Sequence, residues 1–131
     1  MAYRIKKIRL FVRETKPARL ALSLGKKAQG AGPPAPTTSP LCHLHLEIED
    51  DAGATSFGCS ADRLSVRWLD KRPGRSKSVK LRQLVSLLEN TRDIYLQRPQ
   101  FENPFGLWLL NHGKIMALGR SAGQEDLTSV F

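Results

Sequence analysis

The residues of this 131-residue chain best placed to do chemistry are His43, His45, Glu47 and Glu49, at every second position of LCHLHLEIED. Two imidazoles at i and i+2 project from one side of an extended strand. There they can share a metal ion whose shell a carboxylate completes. All four side chains stand in a single row, however, and the sequence positions no further ligand. A solvated polar face is the simpler reading. Cys59 suggests a second chemistry, a thiol whose proton a nearby imidazole, His43, could take. With a hairpin turn centred on Asp51 and Ala52, Leu46 falls opposite Phe57 and Leu44 opposite Cys59. Cys59 and His43 then lie on opposite faces, which denies proton transfer, so no catalytic residue is assigned.

A third chemistry is electrostatic. The formal charge is +9, and residues 1 to 30 carry nine Lys or Arg against one acid, residues 62 to 82 eight against two. With Tyr3, Phe11 and Trp68 such an excess can serve nucleic acid, but no recognition-motif spacing accompanies it. A solvated surface, or one facing an acidic partner, explains the charge equally well. The glycines at 25, 30 and 32 sit in a Pro-rich stretch rather than between a strand and a helix, so they make no phosphate-binding loop.

The element that positions these groups is a hairpin over residues 41 to 61. Cys42, Leu44, Leu46 and Ile48 alternate with the polar row, and Asp50, Asp51, Ala52 and Gly53 supply the reversal. In the register above, Cys42 and Cys59 share a face diagonally, as two buried thiols in a reducing cytoplasm would. Residues 3 to 13 predict a first strand whose basic face suits a sheet edge. Residues 25 to 40, with four prolines and no large apolar side chain, read as a flexible loop. Ser60 or Asp62 is expected to cap a short helix carrying Leu64, Trp68 and Leu69. Leu81, Leu84, Val85, Leu88 and Tyr95 recur at helical spacing from Ser78 to Gln97, predicting a helix on the apolar face of the sheet. Leu107 to Leu110 and Ile115 to Leu118, interrupted by Asn111 and Gly113, fit a short helix pair or loosely packed segments. There is no run of 18 apolar residues to span a membrane, and the basic N-terminus, without an apolar core or a small-residue cleavage site, is not expected to be a secretory signal.

One family resemblance follows from these residues. Ile5, Ile8, Arg9, Leu10 and Phe11, then Asp50, Asp51, Gly53 and Gly58, resemble the N-terminal capping domain of the enolase superfamily, in its mandelate racemase and muconate lactonizing branch. Ser56 to Ala61 depart from the branch's G-x-G-E-A, keeping a glycine and the alanine without the glutamate. The resemblance implies an α+β fold, a three-stranded antiparallel β-meander packed against a small helical bundle. It makes residues 1–131 a single domain: 1–24 the first strand and its loop, 25–40 the Pro/Gly loop, 41–61 the hairpin and 62–131 the helices. It implies substrate-facing loops at Ala18, Arg19 and Leu20 and at Gly58, Cys59, Ser60, Ala61 and Asp62.

The family's magnesium and its catalytic bases belong to a barrel of roughly 200 or more residues, so this chain is expected to hold no cofactor and to catalyse nothing alone. Its expected partner is that barrel, missing or separate, with homo-oligomers open. Ending on Val130 and Phe131 with no helix stop, it reads as truncated. Two functions are thus expected. One is a substrate-specificity capping domain of a cytoplasmic, magnesium-dependent isomerase or lyase. The alternative is a small basic binding module for nucleic acid or an acidic protein. The first predicts exposed apolar surface near Leu107 to Leu118 and at Val130–Phe131; the second predicts a continuous basic face.

Overall fold

The computed structural model describes residues 1–14, 40–66, 70–97 and 100–124. The alternating segments form strands β1 (Tyr3–Arg13), β2 (Leu41–Asp50) and β3 (Thr55–Arg63). They make one antiparallel sheet in the order β1-β2-β3, and among the described residues the helices α1 (Lys77–Leu96) and α2 (Pro104–Ser121) follow. This is the α+β architecture expected.

Side chains alternate across the sheet, apart from a bulge in β1 between Ile5 and Lys7. Ile5, Ile8, Leu10 and Val12 of β1 lie opposite Ile48, Leu46, Leu44 and Cys42 of β2, so one face is an apolar sheet that α1 covers. Cys42, Leu64, Val66 and Leu84 form the buried cluster, with Leu10, Leu81, Val85 and Leu88 packed around it. The helix periodicity read from the sequence therefore marks the face that meets the sheet. Ser76 caps α1, its side chain accepting from the Val79 N–H at 3.3 Å.

Three expectations are corrected. The hairpin register is one residue from the predicted one: Leu46 opposes Gly58, and Cys59 opposes His45. The loop has three residues because the Asp50 carboxylate accepts from the Ala52 and Ala54 N–H groups, at 2.9 and 2.8 Å. Gly53 closes it at a φ of 84°, the left-handed position that such a loop needs. Ser60 and Asp62 belong to β3 and cap no helix. The segment from Pro104 to Ser121 is one continuous helix. Asn111 does not interrupt it, being fully buried, with its side-chain amide donating to the Leu107 carbonyl at 2.9 Å. Leu107, Asn111, Ile115 and Gly119 recur at four-residue spacing as its buried stripe.

A buried ion pair ties the connections down. Asp70 accepts from the Arg72 guanidinium at 2.6 and 2.9 Å, and Arg72 also donates to the Gly123 carbonyl beyond α2 and to Gln83 of α1. Lys80 donates to the Asp70 and Arg72 carbonyls at 3.0 and 2.6 Å. The Arg72 hydrogen bonds hold the Asp70 carboxyl at about 2, against the upward push of burial. Part of the basic excess between residues 62 and 82 is therefore structural.

Candidate nucleic-acid interface

Among the described residues nothing covers the face of the sheet away from the helices, and the register decides what stands on it. Three rows cross it from β1 through β2 to β3: Lys7–Glu47–Phe57, Arg9–His45–Cys59 and Phe11–His43–Ala61. A fourth, Arg13–Leu41–Arg63, closes the end away from the hairpin turn. The basic alternate residues of β1 thus meet the His–Glu row of β2. Phe57 and Cys59 join them because the three-residue loop turns those side chains to this side.

The aromatic groups are accessible. Phe57 is 78% exposed and Phe11 38%, and the Phe11 and His45 rings touch, centroids 4.9 Å apart and planes at 57°. Lys7, Arg9, His45, Glu47, Phe57 and Cys59 surround a shallow depression of about 340 Å³ floored by Leu46 and Gly58. Charge is graded along the strands. Near the turn Glu49 pairs with Lys6 at 2.8 Å, and this hydrogen bond holds its carboxyl below the usual range. Towards the far end stand Arg9, Arg13 and Arg63. An anion therefore meets favourable potential at that end and aromatic surface beside it.

The groups singled out from the sequence distribute as follows. His43, His45, Glu47 and Glu49 do share the open face. Among the described residues, no three His, Cys, Asp or Glu side chains are grouped to hold a metal ion. Cys59 and His45 are direct cross-strand neighbours, so the opposite-face argument against a thiol–imidazole pair is overturned. Cys42 and Cys59 lie on opposite faces instead of sharing one, and both are free thiols. Gly58, Cys59, Ser60, Ala61 and Asp62, expected in a loop, run along β3. Cys59 and Ala61 face the open side; Gly58, Ser60 and Asp62 face the other. Ala18, Arg19, Leu20, Trp68, residues 25–39 of the Pro-rich loop and Val130–Phe131 lie outside the described residues. Tyr3 is drawn to the sheet edge, where it pairs with Phe101 through two main-chain hydrogen bonds of 2.7 and 2.9 Å. Phe57 is the group that sequence reasoning missed, and Gly53 as a third loop residue was the available signal.

A second exposed feature lies on α2, where Phe105, Leu109 and Leu110 are 69%, 58% and 56% exposed. Among the described residues no helix is long and apolar enough to cross a membrane. No family model, curated protein or solved structure matches this chain.

Proposed function

We propose that this protein is a small basic module of the cytoplasm that binds single-stranded nucleic acid on the open face of its sheet. The observation that carries this reading is Phe57, 78% exposed on the same open face as Phe11, the two histidines, Arg9 and Arg13, with Glu47 as its cross-strand neighbour. A solvated aromatic ring on a flat surface is a stacking platform for a base, and the guanidinium groups of Arg9, Arg13 and Arg63 further along the same face suit the phosphates of a strand laid across it. Bases within a duplex already stack on one another and present only their edges, so the platform favours unpaired strands. The free thiols are consistent with a reducing compartment.

The test is fluorescence anisotropy with a labelled single-stranded oligonucleotide and its duplex. Preferential, salt-sensitive binding to the single strand is expected, about tenfold weaker for Phe57→Ala, since base–aromatic stacking contributes roughly 1–3 kcal/mol. Equal affinity for both forms, or indifference to Phe57→Ala, would overturn the reading.

The capping-domain reading rests on a different observation, the uncovered apolar side of α2 at Phe105, Leu109 and Leu110. That surface suits packing against a larger body such as a barrel, with Ala18, Arg19 and Leu20 serving a substrate-facing loop and magnesium held by the barrel. Coding sequence that continues in phase past Phe131 into barrel strands bearing Lys-x-Lys would favour it. A stop codon followed by unrelated sequence would remove it.

A further inference from the structure

The two edges of the sheet are built differently. β1 is blunted: its register is broken by a bulge between Ile5 and Lys7, lysines stand at the bulge, and Phe101 pairs with Tyr3 at its end. β3 has none of these protections. All nine of its residues are exposed, its register with β2 is unbroken, and it contains neither lysine nor proline. Counting from the Asp50 N–H bond to the Ala54 carbonyl, the main-chain groups of Thr55, Phe57, Cys59, Ala61 and Arg63 point away from β2. Among the described residues, those of Thr55, Phe57, Cys59 and Ala61 form an unpaired ladder edge, whereas the Arg63 N–H donates to the Asp62 carboxylate at 2.7 Å and the Arg63 carbonyl accepts from the Ser65 N–H at 2.8 Å.

From this asymmetry we infer that β3 pairs with β3 of a second copy, antiparallel, about a two-fold axis at Cys59. The strand is self-complementary in that arrangement. Phe57 lies opposite Ala61 of the other copy on the open face, and Thr55 lies opposite Arg63. On the other face Gly58 opposes Ser60 and Ser56 opposes Asp62. The only charged residues of β3, Asp62 and Arg63, go to opposite ends of the joint ladder. A parallel pairing would set each against its like. About six main-chain hydrogen bonds join the copies, through Phe57, Cys59 and Ala61, and the guarded β1 edges then face outward, so assembly closes at the dimer. The inference is independent of the nucleic-acid reading. If both hold, the joined sheets bring the two Phe57 platforms into one continuous surface.

The test is sedimentation velocity of the full chain at about 150 mM salt, where screening limits repulsion between the basic copies. A mass twice the 14.6 kDa of the chain is expected. Ala61→Pro removes only an outward N–H and should weaken the dimer at least about tenfold while far-UV circular dichroism stays native. Should proline perturb the fold, Cys59→Lys sets two ammonium groups at the axis and must have the same effect. With Cys42→Ser, a short bismaleimide should link the copies through Cys59. A monomer at all accessible concentrations overturns the inference and leaves the edge to a peptide strand. A dimer indifferent to both edge variants overturns it in favour of another surface, such as the outer side of α2.

Discussion

Cys59 lies directly across the ladder from His45, its thiol exposed on the open face, while Cys42 is buried on the covered one. Burial pushes the Cys42 thiol above its ordinary range, which lowers its thiolate fraction further. In the native protein a maleimide should therefore label Cys59 readily and Cys42 only after unfolding in guanidinium. Mass spectrometry of the labelled peptides checks this, and rapid native labelling of Cys42 would mean that α1 does not seal the sheet.

Asp70 should be the most acid-sensitive point of the fold. Its carboxyl titrates at about 2 in the folded state, below the roughly 3.9 of an unfolded aspartate. The ionised form is thus favoured by folding. The stabilisation is present above about pH 4 and is lost as pH falls towards 2. Asp70→Asn leaves Arg72 and Lys80 without their carboxylate, at a cost of about 3 kcal/mol near neutral pH. Urea unfolding of both forms should show the gap closing as the solution is acidified across this window.

The two sides of α2 predict opposite responses. Ile115 is fully buried, and Ile115→Ala should cost about 3 kcal/mol through lost contacts and the cavity left behind. Leu109 is 58% exposed, and Leu109→Ala should change stability by no more than about 0.5 kcal/mol. Thermal unfolding of the two variants distinguishes the faces. A large loss at Leu109 would reveal that something covers it in solution.

If the open face holds phosphates at Arg9 and Arg13, each Arg→Ala change should flatten the slope of log affinity against log salt by about one. Phe57→Ala should lower affinity with the slope unchanged, because stacking releases no counterions. Measuring oligonucleotide affinity at several salt concentrations separates these contributions.

The strands and α1 were legible because each carries its own period: Ile8, Leu10 and Val12 at two, Leu81, Leu84, Val85 and Leu88 at three and four. α2 was less so. Asn111 and Gly113 read as breaks, yet a buried asparagine whose amide bonds a carbonyl four residues back belongs to a helix once a neighbour excludes water from it.

The open face was half legible. His43, His45, Glu47 and Glu49 had to share a side because alternation within one strand is a local property. Which side of β3 would join them was not local. One residue in the turn decides it, and the Asp50 carboxylate chose three loop residues over two by accepting both the Ala52 and the Ala54 N–H. That choice moved Phe57 and Cys59 from the helix side of the sheet to the opposite one. The sequence by itself determined the elements and the composition of each face within them. The tertiary structure alone decided how the faces combine, because register, ion-pair partners such as Asp70 and Arg72, and burial depend on contacts that no local period encodes.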